Sequence, residues 1–157
     1  MRHSDFNDFY ATHFQDVYRA AYLSCGDRGA AEDAAQEAFE RAFARWHRLR
    51  SHPWLVGWAI TTALNVLRKQ RRKRNQVAPT LAQQASTETT RIEDRLDLVS
   101  ALQRLGSRQR TATILHYFAD LPTPAVANLM SISEGTVKAH LAQARAALRR
   151  EMGETDV

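Results

Sequence analysis

Apolar residues recur along this chain at intervals of three and four, a spacing that predicts helices throughout, and no run alternates strictly enough to suggest a strand. Phe6, Tyr10, Phe14, Val17 and Ala21 form one stripe over about Asp5 to Leu23, which reads as core and stops at the Gly26-Asp27 turn. A second helix, about Gly29 to His47, turns Ala31, Ala35, Ala38, Phe39, Ala42, Phe43 and Trp46 inward. Its remaining surface carries Asp33, Gln36, Glu37, Glu40, Arg41 and Arg45. After a short basic loop from Arg48 to His52, Pro53 opens a third helix, at a position where a missing N–H costs nothing. That helix holds Trp54, Leu55, Trp58, Ala59, Thr62, Val66 and Leu67, with both tryptophans read as core, and passes into Arg68-Lys69-Gln70-Arg71-Arg72-Lys73-Arg74.

The texture changes near Asn75. Residues 75–91 are polar, rich in Gln, Thr, Ala and Ser, and interrupted by Pro79, so they read as a flexible linker with weak helix around Leu81 to Ala85. Farther on, Thr123 is placed to cap a short helix with Pro124 at its first position and Val126, Leu129 and Met130 on its inner face. Ser131 and Ile132 make a turn, and Ser133 caps a last helix whose first residue, Glu134, suits the positive end of the helix dipole. Val137, Leu141, Ala144 and Leu148 give this helix one apolar stripe, away from Lys138, His140, Gln143, Arg145 and Arg149. Gly135 and Thr136 keep its N-terminus slim enough for backbone N–H groups to approach a phosphate. One buried face and one face of donors suit the DNA major groove.

Charge sharpens that expectation. The 157 residues carry a net +5, and the excess lies at the two ends: thirteen Lys and Arg against eight acids up to Arg74, two against four from Asn75 to Ser100, and seven against five thereafter. Six cations within Arg68 to Arg74 exceed what a helix dipole needs, so the run reads as a phosphate-binding footprint. The single Cys25 excludes an internal disulfide and a cysteine metal cage, and reads as a small apolar residue. His3, His13, His47, His52, His116 and His140 are scattered, the glycines form no phosphate loop, and no serine sits in a nucleophile elbow. The residues therefore predict no catalytic site, metal, cofactor or small-molecule substrate. With neither a membrane-length apolar run nor a signal-peptide core, a cytoplasmic protein is expected.

Several stretches together carry a resemblance. Ala31 to Phe43, reading AEDAAQEAFERAF, resembles the A-E-D-x-x-Q-[ED]-x-F-x-R-[AV]-[WF] pattern of region 2.2 in the extracytoplasmic function (ECF) RNA polymerase sigma factors of the sigma-70 family. Trp54 and Leu55 through Asn65 and the basic run resemble regions 2.3 and 2.4. Leu105 to Arg110 with Ile114, Leu115, Tyr117 and Phe118 resembles the start of domain four. Gly135 to Lys138 with Ala144, Arg145, Ala147 and Leu148 resembles its recognition helix. Ile132 to Leu141 is also similar to the helix-turn-helix of LuxR-type regulators, so a LuxR-type regulator acting apart from polymerase is the alternative. Such a regulator would carry an alternating strand-helix receiver domain at the N-terminus, where this chain offers only helices.

The resemblance implies an all-α protein of two small helical domains: a three-helix sigma-2-like unit at 1–74, the linker at 75–91, and a sigma-4-like unit with a helix-turn-helix at 92–157. Asp33, Gln36, Glu37, Phe39, Glu40 and Arg41 would face the beta-prime clamp helices of core RNA polymerase. Arg48, Arg50, Ser51 and His52 with Asn65, Arg68, Lys69, Arg71 and Arg72 would hold the opened minus-ten element. Ser133, Glu134, Gly135, Thr136, Lys138, Ala139, His140, Gln143 and Arg145 would meet the minus-thirty-five element, with region four also on the beta flap. The acidic linker would thread toward the RNA exit path, and an anti-sigma factor is an implied partner. By geometry Lys138 suits guanine or a phosphate, and Gln143 suits adenine. Ser131 stands where such families carry glycine, at about 1 to 2 kcal/mol of strain if its backbone is left-handed.

Overall fold

Five alanines, Ala31, Ala34, Ala35, Ala38 and Ala42, lie fully buried along one side of the second helix and let its neighbours approach its backbone closely. In the computed structural model, which describes residues 2–77 and 93–152, every regular element is helical. Helix α1 (Arg2–Cys25), α2 (Arg28–Ala44), the single turn α3 (Trp46–Leu49) and α4 (Leu55–Val77) form the first group. The second comprises α5 (Glu93–Gln103), α6 (Ser107–Thr113) running into a π-helical turn (Ile114–Phe118), α7 (Thr123–Met130) and α8 (Glu134–Met152).

The predicted helices are present, with boundaries displaced for local reasons. Gly26 takes φ 72 between α1 and α2, and Asp27 caps α2 through Oδ1, which accepts from the Ala30 N–H at 3.0 Å. The basic loop is partly helical, because Arg45 leaves helical geometry at φ −118 and α3 restarts at once. Pro53 precedes α4 rather than opening it. The basic run, built of good helix formers, continues α4 to Val77, three residues into the stretch read as linker. Residues 78–92, with the weak helix expected at Leu81 to Ala85, lie outside the described residues. Thr123 does not cap α7: Pro122 does, its carbonyl accepting from Ala125 and Val126.

The stripe on α1 is also rotated. Phe9 is buried, whereas Tyr10 is exposed along one edge and meets Phe14 and Phe39 with ring centroids 5.2 and 5.0 Å away. Phe43, expected inside, is 49% exposed, though its ring lies edge-on to Phe6 at 5.0 Å. Trp54 and Trp58 are half-buried. Two threonines on the inner side of α4 are buried without loss, since Thr61 and Thr62 hydroxyls donate to the carbonyls of Gly57 and Trp58.

One apolar core runs through both groups, joining Val17, Phe39, Ile60 and Leu64 to Leu115, Val126, Val137 and Leu141. A close crossing lies at Gly57 of α4, where a Cβ would stand 2.7 Å from Leu129 Cδ1 and 2.9 Å from Leu121 Cδ1. A polar strap runs alongside: Arg71 Nη2 of α4 donates to Gln103 Oε1 of α5 at 3.0 Å, and Gln103 Nε2 donates to the Ser24 carbonyl of α1 at 2.5 Å.

Gly57→Leu forces these leucines apart, at an expected cost of about 1 to 3 kcal/mol for overpacking. Amide exchange should quicken at Val126 and Ala127 in α7, while Ala35 and Ala38 of α2 stay protected.

Candidate nucleic-acid interface

The helix-turn-helix is closed by one strained residue. Ser131 sits at φ 59, ψ 44, the left-handed conformation that the resemblance had raised as a condition, and ends α7 so that the Ile132 N–H reaches the Ala127 carbonyl at 3.1 Å. Ser133 then caps α8 as expected: its Oγ accepts from the Thr136 N–H at 3.0 Å and lies 2.9 Å from Thr136 Oγ1. Both hydroxyls are thus engaged in the cap while remaining exposed, with Glu134 and Gly135 exposed between them.

Val137, Leu141 and Ala144 are buried, which turns the opposite side of α8 to solvent. Lys138, Ala139, Gln143 and Arg145 are exposed; His140 is half-buried with Nδ1 lacking a partner among the described residues. Two of these side chains are already held. Gln143 Oε1 accepts from Gln109 Nε2 at 2.7 Å, and Arg145 Nη1 donates to the Tyr117 hydroxyl at 3.1 Å. The π-helical turn presents Tyr117, because the wider turn buries Ile114 and Leu115 and leaves Tyr117 and Phe118 outside. Ala142 and Ala146 are exposed too and extend the line from Ala139, giving α8 an exposed ridge of small side chains. The sequence reading did not single them out, although their spacing of three and four residues from one another was visible.

The second basic surface lies on α4 and the turn before it. Asn65, Lys69, Arg71 and Arg72 are exposed, and Arg68 is half-buried with Nε unpartnered among the described residues. In the preceding turn Arg48, Arg50 and Ser51 are exposed and His52 is half-buried. Arg50 pairs with Asp5 at 2.8 Å, a solvent-exposed ion pair of small energetic weight. His52 Nδ1 accepts from the Trp54 N–H at 2.9 Å, which fixes the ring and places the proton of the neutral form on Nε2.

On α2, Asp33, Gln36 and Glu40 are exposed, and the half-buried Glu37 and Arg41 pair at 2.5 Å one turn apart. Phe39 decides between two expectations, inward by its apolar stripe and at the clamp-helix surface by the resemblance, and corrects the second. Expected on this contact surface, it is 1% exposed and touches the rings of Phe6, Phe9, Tyr10 and Phe14 beneath it. It is spaced three residues from Gln36, but the wide alanine face of α2 extends far enough round to take it into the core.

Residues 9–76 match the family Sigma-70 region 2, and residues 95–148 match Sigma-70, region 4. The chain is 31% identical to the ECF RNA polymerase sigma factor SigL of Mycobacterium tuberculosis, over 94% of this chain and 89% of that protein. It is 28% identical to the RNA polymerase sigma factor SigV of Bacillus subtilis, over 92% and 89% respectively. In fold it resembles the sigma factor RpoE of Bartonella quintana, solved in complex with the anti-sigma factor NepR, with a TM-score of 0.84 at 22% identity, covering 97% of this chain and 99% of that one. The match of the N-terminal half to region 2 removes the LuxR-type alternative.

Two substitutions separate scaffold from surface. Phe39→Ala should lower stability by about 3 to 5 kcal/mol in urea unfolding, with Gln36→Ala and Glu40→Ala within about 0.5 kcal/mol of the parent. Ser131→Gly, which relieves the left-handed strain, should raise the urea midpoint, with a gain of about 1 kcal/mol.

Proposed function

Because the chain belongs to the ECF RNA polymerase sigma factors of the sigma-70 family, we propose that it joins bacterial core polymerase, directs it to promoters and assists strand opening. The observation that carries this reading is the presence in one chain of both regions, 2 then 4, each with an exposed polar face. On this reading 1–74 and 92–157 are two domains, which share one apolar core in the free chain, with 75–91 as the connection between them. Asp33, Gln36, Glu37, Glu40 and Arg41 meet the beta-prime clamp helices, with Phe39 setting their positions from below.

Arg48, Arg50, Ser51, His52, Asn65, Arg68, Lys69, Arg71 and Arg72 grip the opened minus-ten strand. Flipping a base costs a few kcal/mol, and cationic contact with the displaced strand offsets it. The α8 face from Ser133 to Arg145 docks in the minus-thirty-five major groove: the alanine ridge allows close approach, Lys138 and Gln143 flank it, and the capped N-terminus faces phosphate. The beta flap is a second partner of region 4. An anti-sigma factor is a further partner, as it is for the RpoE protein of similar fold. Synthesis itself belongs to the polymerase, so this subunit supplies specificity rather than catalysis. Among the described residues no helix is long and apolar enough to cross a membrane, and the cytoplasm, where polymerase works, is the proposed location.

Run-off transcription by core polymerase over a promoter library tests the reading: specific initiation should occur only when this protein is added. Absence of both specific initiation and co-purification with core enzyme would refute it. Lys138→Ala should then cost about 1 to 3 kcal/mol of discrimination at one position of the minus-thirty-five element if the side chain reads a base, and should weaken binding evenly across sequences if it holds phosphate.

A further inference from the structure

Arg110 is a cation in the wrong place for a soluble helix. It is 4% exposed, and its Nη1 is buried with no hydrogen-bond partner among the described residues. Burial first, and Arg71 beside it second, pull its guanidinium down to about 10. A charge so placed is unfavourable unless an anion meets it.

The space around it is a cavity of about 470 Å³, walled by the α1–α2 turn, α4, the end of α5 and α6. Arg68, Arg71, Arg72 and Arg74 line it together with Arg110, and Asp27 is the one carboxylate among the lining residues. Asp27 is occupied as the cap of α2. Arg68, which lines the same cavity, also has a buried Nε without a hydrogen-bond partner among the described residues. Two arginines thus hold unused donors beside one cavity, and Gln103, Ser107 and Thr111 add neutral polar groups to its wall. The volume lies within the range of pockets that hold small ligands. Forked guanidinium donors match the oxygens of phosphate, and several guanidiniums at one place favour more than one negative charge.

We propose that this cavity binds a small, multiply charged phosphoanion, of pyrophosphate to nucleotide size, bridging α4 to α6 and so holding the two helical groups together. A small anion fits better than a nucleic-acid backbone, because Arg110 is more than nine-tenths buried and a polymer strand would have to thread the cavity to reach it. The inference does not rest on promoter recognition: it concerns a ligand of the free protein and is read without polymerase.

The test is calorimetric titration of the full chain with inorganic pyrophosphate, and separately with ADP, at ionic strength held constant with sodium chloride. One saturable site is expected, with a raised melting temperature. Arg110→Met should abolish that binding and leave the ligand-free protein at least as stable as the parent, because it removes an unpaired buried charge. An arginine with a purely structural role would give a less stable variant. Should the methionine variant not fold, Arg110→Lys, which keeps the charge but loses the fork, should bind pyrophosphate at least about tenfold more weakly. Arg108→Ala, an exposed arginine outside the cavity, should bind as the parent does. Equal pyrophosphate affinity in the parent and both Arg110 variants would overturn the proposal. So would loss of single-stranded oligonucleotide binding in parallel with pyrophosphate binding, which would make the cavity part of a DNA surface.

Discussion

Helix α4 meets two opposed demands with a single cylinder. Ala59, Ile60, Ala63, Leu64 and Leu67 bury one side of it against α1 and α2, while the same helix, continued to Val77, carries six cations, five of them exposed. Apolar burial holds the helix in place, and the cations repel one another along its last turns, so the first must outweigh the second. The alanine face of α2 makes this possible, because small side chains bring α4 close enough for its inner residues to be fully covered. The basic surface therefore projects from a rigid element rather than from a loop.

The same helix organises the second group. Gly57 lacks the side chain that would hold α7 away, and Leu121 and Leu129 fill the space. The helix-turn-helix thereby rests on α4 as well as on α6, and one core runs through both groups. Docking by apolar contact is non-directional, so the polar strap from Arg71 through Gln103 to Ser24 supplies register. The arrangement gathers the arginines of α4 around Arg110, although the two segments are distant in sequence.

Periodicity was enough to recognise the helices and residue type the cap at Ser133, because these depend on residues within one or two turns of each other; the left-handed Ser131 was only a condition raised by the resemblance. The outward face of α8 was legible for the same reason. Phe39 was read two ways, inward by the stripe of α2 and outward by the resemblance, and its burial agrees with the stripe: a motif match carries a residue's role over without showing how wide the buried arc of the helix is. Arg110 and Gly57 gave no signal of any kind. A lone arginine in an amphipathic segment is ordinarily exposed, and only the approach of α6 to α4 buries this one. Gly57 reads as a helix-weakening residue until Leu129, 72 residues away in the chain, is seen against it.

That distant packing also bears on how the binding surfaces are kept ready. In the free chain Gln143 holds Gln109, Arg145 holds the Tyr117 hydroxyl and Arg71 holds Gln103. Each is an exposed hydrogen bond to a neutral group, of about 0.5 to 1.5 kcal/mol net. On the proposed reading, contact with phosphate would be charge-assisted and would release counterions besides, so the arginine partners would be exchanged at a gain on DNA binding. Until then they fix long side chains that would otherwise sample many rotamers, which reduces the ordering left for binding to impose. Weak neutral partners suit this purpose better than carboxylates: a strong ion pair at Arg71 or Arg145 would compete with the phosphate, whereas a glutamine or a tyrosine positions the guanidinium and then yields it.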